Sequence, residues 1–155
     1  MALEIERKYL IHHHIWENVT KPEGEFYRQG YILKDPDKTI RVRVTESAAY
    51  LTIKGTSTGA TRTEFEYQIP KEEALTLLDN FSVSELSKVR YKIHYYGKIW
   101  EVDVFSGDNA GLIVAEIELT SEDEIFEKPE WVSTEVTGDN RYFNSRLSEN
   151  PYKHW

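Results

Sequence analysis

Apolar and polar residues alternate along most of this chain with a period of two, the repeat of an extended backbone whose side chains point to opposite faces. Segments with this pattern lie at residues 3–11, 25–34, 38–46, 49–55, 61–69, 86–96, 98–105 and 111–119, and each predicts a strand. Turn chemistry falls between them. Asp35-Pro36-Asp37 follows the second, the stretch from Gly55 to Gly59 with its Ser and Thr residues follows the fourth, and Tyr96-Gly97-Lys98 follows the sixth. Connections this short favour hairpins, and hence antiparallel pairing.

Helical patterns are fewer. Pro70 followed by Lys71-Glu72-Glu73-Ala74 and then Leu75, Leu77, Leu78 and Phe81 predicts a helix with proline in its first turn. Ser121 with Glu124 three residues later is a capping-box pattern for a short helix ending before Pro129. A last helix is predicted to start at Asp139 and carry Tyr142, Phe143 and Leu147. Eight antiparallel strands and a few short helices fit a mainly β (α+β) fold, a closed eight-stranded antiparallel β-barrel with the helices packed outside. Closure disposes of sheet edges, and at that strand number the interior holds one small ligand. The helices, and most of the aromatic residues, would then cover apolar outer faces such as Ile40-Val42-Val44 and Trp100-Val102-Val104.

Composition narrows the function. A chain of 155 residues without repeats or linkers is most simply one domain spanning residues 1–155. With 27 acidic and 19 basic residues the formal net charge is −8, which argues against nucleic acid or an anionic membrane surface as partner. Any phosphate site must be local. The chain has no cysteine, so disulfides and thiolate zinc sites are excluded. No apolar run approaches the roughly 20 residues of a membrane span, and the acidic N-terminus enters a strand at once instead of a signal segment, so a cytoplasmic protein is expected. His12, His13 and His14 read as a surface loop or helix start, lacking a further nearby ligand for a metal.

The charges themselves are sorted strand by strand. Glu4, Glu6 and Lys8 share one face of the first strand, and Arg41 with Arg43, Glu64 with Glu66, Lys88 with Arg90, Glu101 with Asp103, and Glu116 with Glu118 are all spaced i, i+2 with apolar residues between. Any single pair reads most simply as a solvated sheet face. The number of such arrays favours the alternative, in which the charged faces converge inside the barrel and form a site for a polyanion together with divalent cations.

These residues also carry a family resemblance. Glu4-Ile5-Glu6-Arg7-Lys8 resembles the Glu-x-Glu-x-Lys signature of the CYTH superfamily, the triphosphate tunnel metalloenzymes. Its later elements follow in order: Arg41-Val42-Arg43, Lys54, Glu64-Phe65-Glu66, Lys88-Val89-Arg90, Asp103 and Glu116-Ile117-Glu118. The match spans residues 3–119. The resemblance implies the triphosphate tunnel fold and hydrolysis of inorganic triphosphate to pyrophosphate and phosphate, as in short bacterial members. It implies substrate binding by Lys8, Arg41, Arg43, Lys54, Lys88 and Arg90, and metal binding by Glu4, Glu6, Glu64, Glu66, Asp103, Glu116 and Glu118, with Lys8, Glu4 and Glu6 also catalytic. Guanidinium and ammonium groups suit phosphate oxygens, and carboxylates suit hard cations. Two ions, Mg²⁺ or Mn²⁺, are implied, one orienting the triphosphate and one activating water, with a homodimer as a further family trait.

Some positions stay open on sequence alone. Glu101 reads as a rim residue, Arg62 as either a phosphate ligand at the tunnel mouth or an offset to Glu64 and Glu66, and Arg7 as an outer ion-pair partner. Lys92 and His94 continue the phase of Lys88 where the strand leaves the barrel, and Arg146 reads as exposed. The segment from Val136 to Asn144 would plug or border one barrel end. Rival functions are a class IV adenylate cyclase, a thiamine or nucleoside triphosphatase, and a non-catalytic polyphosphate binder. A pure anion receptor gains nothing from seven carboxylates beside its ligand.

Overall fold

A computed structural model describes residues 3–155. Its elements run β1 (Leu3–Ile11), α1 (His13–Trp16), β2 (Glu25–Asp35), β3 (Lys38–Val44), β4 (Ala49–Thr58), β5 (Thr61–Ile69), α2 (Lys71–Phe81), β6 (Ser84–Tyr95), β7 (Lys98–Phe105), β8 (Ile113–Glu118), β9 (Val132–Glu135) and α3 (Asn144–Leu147). The strands pair antiparallel in the order β5-β4-β3-β2-β6-β7-β8-β1, and β1 returns to β5 through Leu3↔Thr63 and Ile5↔Thr61, closing an eight-stranded barrel. The sequence pattern anticipates this closure but not β9, which pairs Tyr9 with Glu135 and Ile11 with Val132. One edge of β1 thus serves β5 at its start and β9 at its end. Between them Lys8 N donates to Thr137 Oγ1 at 3.0 Å, and Val136 N donates to Lys8 O at 2.8 Å.

Local chemistry explains most boundaries. Tyr96 and Gly97 have φ of 47° and 76°, the left-handed pair that a two-residue hairpin needs between β6 and β7. The stretch expected to loop after residue 55 stays in the ladder, with a register shift between Lys54 and Ser57, so the turn shrinks to Gly59 and Ala60. The helix expected between Ser121 and Pro129 does not form. Glu124 reaches back to Thr120 N at 2.7 Å as a capping residue would, but it also accepts from Lys98 Nζ at 2.6 Å. Phe126 packs against Tyr9 and Trp100. So short a helix cannot recover its nucleation cost against that burial. The last predicted helix is likewise split into a 3-10 turn at Asn140–Tyr142, capped by Asp139, and α3, with Phe143 extended between them.

The core lies outside the barrel. Tyr9, Ile11, Trp16, Trp100, Val102, Ile117 and Trp131 form one cluster on the outer face, with ring pairs meeting edge to face. On the opposite side α2 lays Ala74 and Leu78 on Val42, Val44 and Ala49. Its approach depends on Gly30 of β2, where a Cβ would stand 2.4 Å from Ser82 Oγ and 2.7 Å from Leu78 Cδ2. A third cluster seals one barrel end: Leu86, Phe105 and Val114 meet Val136, Tyr142 and Leu147 from the C-terminal segment. Tyr27 and Tyr31 depart from the expected outer packing of aromatics and are buried on the inward phase of β2. No helix among the described residues is long and apolar enough to cross a membrane.

Candidate active site

Antiparallel pairing gives each inward-facing residue an inward-facing neighbour across the ladder. Lys8 stands opposite Glu116 and Glu6 opposite Glu118, Lys54 opposite Glu64, and Arg90 opposite Asp103. Three of these four pairs set a cation beside a carboxylate, while Glu6 and Glu118 set two acids together. The inward faces surround a cavity of about 200 Å³ within the barrel. Glu4, Glu6, Arg41, Arg43, Lys54, Glu64, Glu66, Lys88, Arg90, Glu116 and Glu118 line it, while Lys8 and Asp103 are buried in the barrel beside them.

Asp103 is fully buried and organises two of the cations. Its Oδ1 accepts from Arg90 Nε at 2.7 Å, and its Oδ2 accepts from Arg90 Nη2 at 2.8 Å and Lys88 Nζ at 2.7 Å. Burial would raise its pKa, but Arg90 and Lys88 outweigh burial and hold the carboxyl below its ordinary range. With both oxygens committed, Asp103 anchors Arg90 and Lys88 in this structure. Burial brings the Lys88 ammonium down to about 8 despite the pull of Asp103.

Arg41 and Arg43 are held differently. Their Nε atoms are buried without a hydrogen-bond partner, a costly state that an anion with several acceptor oxygens would relieve. The Arg43 guanidinium lies 4.9 Å from the ring centre of Tyr27 and 5.3 Å from that of Tyr50, and the Arg90 guanidinium lies 5.2 Å from the ring centre of Tyr27. Tyr27 thus spaces two guanidinium groups that would otherwise repel.

The acids gather at the opposite wall. Lys54 Nζ donates to Glu4 Oε1 at 3.1 Å and lies 3.5 Å from Glu64 Oε2. Burial, assisted by the neighbouring Glu64, pushes the Glu4 carboxyl up to about 7 in spite of Lys54. Burial together with Glu116 and Glu4 raises Glu6 well above its usual value. Glu64 Oε2 is buried without a hydrogen bond. Glu116 contrasts with them: Lys8 and Arg90 overcome its burial and hold it far below the carboxylate range. Glu4 and Glu6 are therefore short of positive charge, while, against burial, Lys54 and Arg41 hold Glu64 beside them below its ordinary range, and the hard oxygen donors of this corner fit Mg²⁺ or Mn²⁺. No three such groups among the described residues already form a finished metal cage, so ligation would require carboxylates now held by Lys54 to turn.

The remaining expectations sort by position. Glu66 lies 3.7 Å from Arg43 and accepts from Thr52 Oγ1 at 3.2 Å, Glu118 is exposed at the rim, and Glu101 accepts from Arg90 Nη1 at 3.1 Å and also lines the cavity. Arg7 pairs outside with Glu135, and Lys92, His94 and Arg146 are exposed. Arg62 donates to Gly55 O at 2.8 Å. Sequence reasoning missed Tyr27, Thr52 and Asn144. Thr52 shares the inward phase of Lys54 on β4, which is a usable signal, whereas no charged array on β2 marks Tyr27. Asn144, which accepts from Lys88 Nζ at 3.3 Å, ends the segment expected to border the barrel, but nothing in the sequence directs its side chain to Lys88.

Comparison with known proteins agrees with this geometry. The CYTH domain model matches residues 2–148. The inorganic triphosphatase of Acetivibrio thermocellus is 49% identical over 156 residues, covering 100% of this chain and 99% of that protein. The inorganic triphosphatase of Nitrosomonas europaea is 34% identical over 153 residues, covering 94% and 96%. Among solved structures, the inorganic triphosphatase NE1496 superposes with a TM-score of 0.64 at 31% identity, covering 94% of this chain and 97% of its own. The PH1012 protein of Pyrococcus horikoshii, at 18% identity, 77% and 80% coverage and a TM-score of 0.59, shares the fold. The chain belongs to the CYTH domain family.

Proposed function

We propose that this protein hydrolyses inorganic triphosphate to pyrophosphate and phosphate inside the tunnel, with divalent cations as cofactors. One observation carries the reading: buried guanidinium Nε donors without acceptors, at Arg41 and Arg43, share a cavity with carboxylates that burial and neighbouring acids leave short of positive charge, at Glu4 and Glu6. A triphosphate and its metal ions would satisfy both sets at once. The inorganic triphosphatases of A. thermocellus and N. europaea support the choice of substrate.

Within this reading Arg41, Arg43, Lys54, Lys88, Arg90 and Lys8 bind phosphate oxygens and offset the charge that develops on the transferring phosphoryl group. Glu4, Glu6, Glu64, Glu66, Glu116 and Glu118 would hold the metal ions, which supply Lewis acidity and an activated water when bound. Asp103 fixes Arg90 and Lys88 in place. The apolar cluster over part of one end and the small, charged and polar lining of the cavity suit a compact inorganic substrate.

The test is phosphate release from inorganic triphosphate, ATP and thiamine triphosphate in parallel, each with Mg²⁺, Mn²⁺ or chelator. Fast, metal-dependent release from inorganic triphosphate and much slower release from the organic compounds is expected. No hydrolysis of any of them would refute the proposal, and cyclic AMP formed from ATP would point to a cyclase.

A further inference from the structure

The sealed end of the tunnel is not uniform. On the arc formed by β6, β7, β8 and β1 it is apolar, closed by Leu86, Phe105 and Val114 against Tyr142 and Leu147. On the arc formed by β2 to β5 it is polar, and cavities follow one another there. Arg41, Lys54 and Asn144 line both the tunnel and a small space of about 30 Å³ beside it. Thr39, Arg62, Phe143 and Ser145 line both that space and an outer groove of about 290 Å³, which also carries Lys34 and Arg146. The path from tunnel to groove thus runs from Arg41 and Lys54, past Arg62, to Lys34 and Arg146.

The constriction is Phe143. Its ring centre lies 5.7 Å from Lys8 Nζ on the tunnel side and 5.6 Å from the Arg62 guanidinium. Arg62 makes no ion pair among the described residues, because Glu4 and Glu64 are turned toward Lys54. In the groove, Lys34 bonds Glu149 at 2.8 Å and Arg146 lies 3.9 Å from the same carboxylate. With Asp35 also on the wall, three cations face two carboxylates, and the excess charge is positive. The segment bearing Phe143 is held by tunnel lysines: Lys8 Nζ donates to Tyr142 O at 3.1 Å and Lys88 Nζ to Asn144 Oδ1 at 3.3 Å. A phosphate engaging those lysines competes for the bonds that hold the constriction shut.

We propose that the outer groove is a second anion site that takes the orthophosphate product, reached from the tunnel through the Phe143 constriction. The identity of the anion rests on the triphosphatase reading; the existence of the site does not. A cationic path of this kind draws a small anion away from the tunnel by the same steering that brings charged ligands into clefts.

The test titrates inorganic phosphate into the full chain by calorimetry, for the parent and for the charge reversal Lys34→Glu with Arg146→Glu, circular dichroism confirming that both are folded. One phosphate site present in the parent should vanish in the double variant, while KM for inorganic triphosphate changes by no more than about twofold, since neither residue belongs to the tunnel. Phe143→Trp, which narrows the passage, should lower kcat severalfold at unchanged KM. The same number of phosphate sites, with the same affinities, in parent and double variant overturns the proposal. Absence of triphosphatase activity in the parent would instead remove the function proposed above, and calorimetry would still decide whether the groove binds phosphate.

Discussion

Asp103 shows how much of the site rests on a group that need not touch the substrate. It is inaccessible to solvent, and both of its oxygens serve Arg90 and Lys88. Removing it leaves two buried cations without their partner, so Asp103→Ala should destabilise the fold by about 3–5 kcal/mol in urea unfolding. Asp103→Asn, which keeps acceptor capacity, should cost less. Equal small losses for both would show that the pair is not interdependent. At this scale the sequence was informative where charge alternates with apolar residues, because period two alone assigns Arg41, Glu64 or Glu116 to one face. It could not separate anchor from ligand. That distinction depends on which side chains stand across the ladder, and Arg90 opposite Asp103 is a register fact.

The elements show a similar division. The strands and α2 follow from local patterning, whereas the predicted helix near residue 121 lost to the burial of Phe126 and the Lys98 to Glu124 contact, both set by distant parts of the chain. β9 is only four residues long and carries no distinctive alternation of its own; it exists because the free edge of β1 needs a partner. The packing of α2 on the barrel rests on one glycine. Gly30→Ala would drive a Cβ into Ser82 and Leu78, and a loss of about 1–3 kcal/mol is expected by thermal or urea unfolding. An unchanged midpoint would mean that α2 shifts freely on β2.

For the whole molecule, closing the barrel concentrates charges that an open sheet would leave in water, and the acid corner carries the consequence. The Glu4 carboxyl rises from an ordinary 4.5 to about 7 on folding, so the folded state binds more protons than the unfolded state between those values. The contribution is present below about pH 4.5 and is lost as pH rises through about 7. Relative to Glu4→Gln, the parent protein without metal should therefore lose stability over that interval. Added Mg²⁺ should raise its melting temperature more above this window than below it, where protons compete with the metal. A difference between parent and variant that does not vary with pH would contradict this picture.

If the carboxylates facing the buried cations are catalytic machinery rather than solvated charge, kcat/KM for inorganic triphosphate must fall in Glu6→Gln at saturating Mg²⁺. A loss on the order of a hundredfold or more is expected with the fold intact. Activity within about twofold of the parent would contradict it, since a charge on a merely solvated sheet face contributes little.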